Sequence, residues 1–299
     1  MQGAQALQLL RRRTDECVAR EDSQLAMSVD ALVEASFVLD TAVRVEPISD
    51  DQYDVGGLNA VALLHTIRAL GLAGHPDESY EAQAYLALYV LVLAVDPAAV
   101  PPQVHEGVSA AITAGAATDL PTVALNAMKG HSVAVYTAYR RSLDHPHWDM
   151  RIVDVLLRSR QRLLGVAGPK VPGYPARLLD VAAAHSIRSA TRDNNSDLDR
   201  AIELVDEVLA RDVGKHERAI TRRAHLLRGP ALQRRAQRRQ RSGDLDAAIE
   251  SFRAAVELTD RDDPALPTYQ ARLVEAEQAR SDGVPRRRRF GWRRGRSAD

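Results

Sequence analysis

Two segments of this chain are copies of one another, 47 residues apart. Asp197 to Leu209 reads DLDRAIELVDEVL, and Asp244 to Val256 reads DLDAAIESFRAAV. Asp197, Leu198, Asp199, Ala201, Ile202 and Glu203 recur as Asp244, Leu245, Asp246, Ala248, Ile249 and Glu250. A fixed period of this length marks stacked supersecondary units rather than one globular core. Each unit has too little apolar surface to bury alone, so neighbours must stack to hide it. The expected class is therefore set before any motif is considered. Apolar residues recur at i, i+3, i+4 and i+7 almost throughout, and alternating strand patterns do not, so that class is all-α. Composition agrees. Hydrophobic residues make up 45% of the chain and aromatics only 4%, which leaves Ala, Leu and Val to fill closely packed helices.

The periodicity predicts a first helical hairpin over 4–20 and 23–44, ended near Glu46-Pro47, then helices over 52–70 and 77–95. The second half of 77–95 is apolar all round, as in a helix buried on several sides. Further helices are expected over 103–117, 121–143 and 147–164, then 175–192, 197–210, 216–241, 244–259 and 265–281. Pro230 should kink or split the 216–241 helix, because it removes an intrahelical hydrogen bond. The stretch GVAGPKVPGYP over 165–175 holds three Gly and three Pro and reads as a hinge. It separates an N-terminal helical-repeat half, 1–165, from a C-terminal half, 175–281. Residues 282–299 lack apolar periodicity and read as a disordered basic tail. Short turns between paired helices give antiparallel neighbours, so the expected architecture is an α-solenoid of about five to six helix pairs.

Net charge is zero, with 40 basic and 40 acidic residues, but it is unevenly spread. Segment 282–299 carries seven Arg against Asp282 and Asp299, a net of +5, which leaves −5 on residues 1–281. A basic tail on an acidic body can attract a polyanion or fold back on that body. Cys17 is the only cysteine, so no intrachain disulfide exists and a reducing compartment is the simplest expectation. The start of the chain lacks the apolar core of a signal peptide. The longest apolar run, Ala84 to Val95, is shorter than the roughly 20 residues needed to span a bilayer. A cytoplasmic protein without a transmembrane segment is the expectation.

Residues with catalytic chemistry are few, and each has a simpler structural role. Cys17 lies in a helical pattern, DECVAR, without the local signature of a thiol protease, so a structural cysteine is the favoured reading. His145, His147 and Asp149 form an H-P-H-W-D cluster, but zinc needs three or four converging ligands and no second cluster has suitable spacing. A helix start with Pro146 in the first turn and Trp148 packed inward accounts for it better. His65 and His131 sit within apolar helix faces and read as core histidines. GVAGPK, 165–170, is too short for a phosphate loop. Asp50-Asp51 and Asp262-Asp263 fall in turns, where capping is the usual role. No enzyme, cofactor or metal is expected.

Two basic stretches remain as candidate binding surfaces. The tail RRRRFGWRRGR places Arg286, Arg287, Arg288, Arg289, Arg293 and Arg294 around Phe290 and Trp292. Arginine forks pair with phosphates, and an aromatic ring can stack on a base or lie at a membrane interface. The 216–241 helix carries Arg222, Arg223, Arg234, Arg235, Arg238 and Arg239 among nine arginines opposed by Glu217. Such a face either grips an acidic peptide or polyanion, or pairs with carboxylates of neighbouring helices.

SGDLDAAIESFRAAVEL, 242–258, resembles the second half of a tetratricopeptide (TPR) repeat. In that likeness Gly243 makes the tight inter-helix turn and Ala248 and Ala255 let helices approach. Ile249, Phe252 and Leu258 supply the apolar filling. NSDLDRAIELVDEVL, 195–209, is a second copy with Ser196 in place of the glycine. Arg235 and Arg239 stand where a standard first helix has Leu and Tyr. The long period resembles the divergent repeat arrays of actinobacteria often found with caspase-like CHAT protease domains, although no such domain lies in this chain. Residues 54–72 and 81–102 resemble a further block of those arrays, keeping His65 and Arg68 but with Thr66 and Ala69 at the aromatic positions. The resemblance implies a non-enzymatic protein–protein interaction scaffold holding a peptide or partner domain in its concave surface, as adaptor or regulator of an effector. The alternative from the basic stretches is a protein binding nucleic acid or anionic lipid.

Overall fold

The computed structural model describes residues 1–43, 53–113, 119–144, 149–211, 218–239 and 242–282. Among these residues the chain is helical, apart from two 3-10 turns, Pro97–Ala99 and Pro102–Val104, and one isolated bridge between Val43 and Tyr53. The helices are α1 (Gly3–Arg20), α2 (Gln24–Met27), α3 (Val29–Ala42), α4 (Val55–Gly71), α5 (Glu78–Val95), α6 (His105–Thr113), α7 (Leu120–Ser142), α8 (Arg151–Ala167), α9 (Tyr174–Arg192), α10 (Asn195–Ala210), α11 (Arg218–Arg239), α12 (Ser242–Glu257) and α13 (Leu266–Ser281). No described helix is long and apolar enough to cross a membrane. The chain divides into two compact units, Met1–Arg192 and Asp193–Asp299. That division falls after α9, so the Gly- and Pro-rich stretch 165–175 lies inside the first unit, where α9 packs on α8.

Local chemistry explains where the helices begin. Asp54 accepts from the Gly57 N–H at the start of α4, Asp119 from Thr122 at the start of α7, and Asn194 from Ser196 at α10. Each satisfies an amide that has no intrahelical partner. The expected single helix over 23–44 is instead two, α2 and α3. Ser28 stands between them in extended conformation, and its hydroxyl caps α3 by accepting from the Ala31 N–H. Two other expectations are corrected. Of the two outcomes expected at Pro230, a kink or a split, the split does not occur: α11 runs unbroken from Arg218 to Arg239. Gly229 precedes it and has no Cβ to crowd the proline ring, which removes part of the usual penalty. Gly243 makes no inter-helix turn but lies in the first turn of α12.

In the first unit α4 packs on α5, α5 on α7, α7 on α8 and α8 on α9. In the apolar second half of α5, Leu88 to Val92 are buried, as in a helix with neighbours on several sides, whereas Ala94 near its end is exposed. A row of helices would stop at such chain neighbours. Here α3 also packs against α1, α4 and α8, so α3, α4, α5, α7 and α8 close on themselves around a shared core. The closest approach of a glycine to the backbone of another helix is at Gly130 on α7, where a Cβ would lie 2.9 Å from the Ala84 Cα of α5. In the second unit α10 packs on α11, α11 on α12 and α12 on α13. Leu198, Ala201 and Ile202 of the first copy are buried, as are Leu245, Ala248 and Ile249 of the second.

Candidate functional site

The core of the first unit contains a chain of buried polar side chains, one or more from each of four helices. Glu81 of α5 receives two bonds, from Arg68 Nε at 2.8 Å and at His65 Nδ1 at 2.6 Å. His65 Nε2 lies 3.0 Å from His131 Nδ1, and His131 Nε2 lies 3.3 Å from Ser36 Oγ. Arg68 also donates from Nη1 to the Ala26 carbonyl at 2.8 Å. The side chains of His65, Arg68 and Glu81 are wholly shielded from solvent. If both rings are neutral, one proton arrangement serves every contact. His65 gives its Nδ1 proton to Glu81, so its Nε2 accepts from His131 Nδ1–H. His131 Nε2 then accepts the Ser36 hydroxyl proton.

This arrangement is electrostatically self-contained. Burial pushes the Glu81 carboxyl upward, but the Arg68 charge and the bonds from His65 and Arg68 outweigh it and hold the group down at about 2. Burial drives His131 down to about 3, reinforced by His65 and Arg68 against the pull of Glu81. A buried carboxylate–guanidinium pair needs its hydrogen bonds supplied; here Glu81 accepts from both partners and Arg68 donates from Nε and Nη1, while its buried Nη2 has no partner among the described residues. The chain of bonds ties four helices to one another and ends at the buried Ser36 hydroxyl.

Ser36 also lines a cavity of about 640 Å³ formed by α3, α8 and α9. Four arginines line it: Arg151, Arg158 and Arg162 from α8, and Arg188 from α9. Asp40 and Asp154 line it as well. Arg158 donates to Asp40 at 2.7 Å, across 118 positions of sequence, and its guanidinium lies 4.0 Å over the Phe37 ring. Arg151 is held by Asp149 and Asp30. Arg188 lies 3.7 Å from Asp154, which also pairs with Arg192. A smaller void lined by Ser36, His131, Arg158 and Arg162 shares part of the same wall.

The arginines singled out from sequence are placed differently. On α11, Arg222 donates to Asp263 at 2.6 Å, and Arg235 spans Asp244 at 2.7 Å and Asp199 at 3.1 Å. Arg239 joins Asp199 at 2.6 Å and Arg238 joins Asp193 at 2.7 Å. Arg223 and Arg234 have partners of their own. Burial, with the charge of Arg238, lowers the Arg234 pKa. Arg222, Arg235, Arg238 and Arg239 bind the second unit's own carboxylates, the commoner of the two roles expected for such a face. Arg286, Arg287, Arg288, Arg289, Trp292, Arg293 and Arg294 lie outside the described residues, as do His145, Pro146, His147 and Trp148. Asp149 is described, and it caps the start of α8 by accepting from the Arg151 N–H at 2.9 Å. Cys17 is buried. Among the described residues no group of three or more His, Cys, Asp or Glu side chains is arranged to hold a metal ion.

Sequence reasoning placed His65 and His131 in the core but missed their pairing with Glu81 and Ser36, which lie 16 and 95 positions from their partners. It missed the cavity too. One signal was available: Arg151, Arg158 and Arg162 fall at i, i+7 and i+11, a single stripe of one helix. No family model, curated protein or solved structure matches this chain.

Proposed function

We propose that the chain is a non-enzymatic helical scaffold of tetratricopeptide-like type that holds a peptide or a partner domain, acting as adaptor or regulator of an effector. One observation carries the reading. The two sequence copies form α10 and α12, bury the same three apolar positions, and use the same aspartate in the same way. Asp199 pairs with Arg235 and Arg239 on the following helix, and Asp246 pairs with Arg280 on the helix that follows it. Repetition of one packing unit is the construction that builds extended docking surfaces. The engagement of the α11 arginines by internal carboxylates weighs against α11 as a grip for polyanions, and leaves that alternative to the tail.

Co-expression with the products of flanking genes, followed by co-purification and light scattering, tests the proposal. A stoichiometric complex that survives about 0.5 M salt, where surface charge is screened within a few ångströms, is the expected result. It should persist when residues 284–299 are removed. Failure of every neighbour to co-purify counts against the scaffold. Salt-sensitive retention on heparin that disappears with residues 284–299 would favour the polyanion alternative instead.

A further inference from the structure

We propose that the cavity between α3, α8 and α9 binds a small oxyanion, a carboxylate or phosphate group, on the exposed Nε–Nη2 edge of Arg158. Two contacts set that guanidinium in the cavity wall. Its Cζ lies 4.0 Å over the Phe37 ring and its Nη1 donates to Asp40 at 2.7 Å, and Phe37 and Asp40 themselves line the cavity. The ring covers one face of the guanidinium and the carboxylate takes Nη1, so both anchors leave the Nε–Nη2 edge uncovered. Among the described residues Nε and Nη2 have no hydrogen-bond partner, and neither is buried; the side chain is 41% exposed. The same two atoms of Arg162, one turn further along α8, are buried, so a ligand in the cavity meets Arg158 and not Arg162.

Geometry and charge both narrow the ligand. Nε–H and the adjacent Nη2–H form one edge of the guanidinium plane, and two parallel donors at that spacing match the two oxygens of a carboxylate or phosphate. Elsewhere in the wall the arginines are answered: Arg151 by Asp149 and Asp30, and Arg188 and Arg192 by Asp154. Asp40 alone faces two guanidiniums, bonding Arg158 and acting on Arg162 only through its charge. Five arginines thus stand against four aspartates, and the excess positive charge lies beside the open edge, where it attracts an anion. Gln161, three residues on, is exposed on the same wall and offers an amide donor to a further oxygen. The cavity, about 640 Å³, falls inside the roughly 300–1,000 Å³ range of small-molecule sites. The site lies wholly in the first unit and is independent of the docking role proposed above.

The test uses the purified full chain, titrated with inorganic phosphate, sulfate and succinate at constant ionic strength by calorimetry. Saturable binding of at least one of these is expected in the wild-type chain, and the relative affinities of phosphate and succinate decide between a phosphoryl and a carboxylate ligand. Affinity should fall about tenfold or more in both Arg158→Gln and Arg158→Lys, because lysine keeps the charge but loses the fork. Arg253→Gln, which alters an exposed pair with Glu277, should bind as wild type. Labelling of the wild-type chain with phenylglyoxal, read by peptide mass spectrometry, locates the site without any variant. A saturating concentration of the bound anion should slow modification of Arg158 severalfold and leave that of Arg253 unchanged. The proposal is overturned if no anion saturates the wild-type chain, if a folded Arg158 variant binds undiminished, or if the anion does not protect Arg158. Circular dichroism reports whether each variant is folded, and the labelling of the wild-type chain decides the matter if neither is.

Discussion

Replacing His131 with glutamine removes a titrating ring from the core while offering the same pair of contacts, a donor toward His65 Nε2 and an acceptor for the Ser36 hydroxyl. In the unfolded chain the imidazole titrates near 6.5, whereas in the folded chain burial holds it at about 3. A folded pKa below the unfolded one means stability that is fully present above about pH 6.5 and drains away as the pH falls toward about 3. From about pH 7.5 to about pH 5 some 1.5 units of that window are crossed, and at ~1.4 kcal/mol per unit the wild-type chain loses about 2 kcal/mol through this residue. Glu81 titrates in a lower window, from 4.5 unfolded to about 2 folded, so an endpoint near pH 5 leaves it nearly untouched. The histidines that do not touch His131 are common to both chains and cancel in the difference. Urea denaturation followed by circular dichroism at the two pH values supplies the measurement. Wild type should lose about 2 kcal/mol more than His131→Gln on acidification. Equal losses would refute the assignment of His131 as a neutral, fully buried link in the chain.

Three further substitutions probe the packing. Glu81→Ala strands the Arg68 guanidinium in the core without a counter-charge, and should cost about 3–5 kcal/mol in a urea melt; a loss below ~1 kcal/mol would mean that the pair is not desolvated. Gly130→Ala gains up to about 1 kcal/mol of helix propensity, yet its new methyl meets the α5 backbone at 2.9 Å, so a net loss of roughly 1–3 kcal/mol and a lower Tm are expected. An unchanged or higher Tm would show that α5 and α7 do not approach so closely. Ala248→Trp, at a wholly buried position of the second copy, should cost on the order of 1–3 kcal/mol or more by overpacking the α11–α12 seam. A wild-type melt would place Ala248 outside that seam.

What could be read directly from residue order is what depends on neighbours within a turn or two. The 3.6-residue spacing of apolar groups places most helices to within a few residues, because one face must be covered whatever covers it. Asp54, Asp119 and Asn194 mark helix starts through bonds that span two or three residues. The two copies declare a common packing unit for the same reason, since their Leu, Ala and Ile stripe is set by helix geometry alone. Where a local rule met tertiary context it could yield. Pro230 remains inside α11, which is packed against α10 and α12.

The partners of buried charge were decided only by the tertiary structure. His65 and Arg68 stand on an apolar face of α4, and nothing within a turn of them says that Glu81 answers both or that His131 continues the chain to Ser36. The arginine stripe of α8 was visible as spacing, but which of its members is neutralised depends on Asp40, 118 positions from Arg158. Desolvation raises the cost of each unpaired group, so the closing of α3 onto α8 determines which pairs form, and Asp40 bonds Arg158 rather than Arg162. Periodicity is a property of one helix; charge complementarity in a core is a property of several, and it exists only once they have packed.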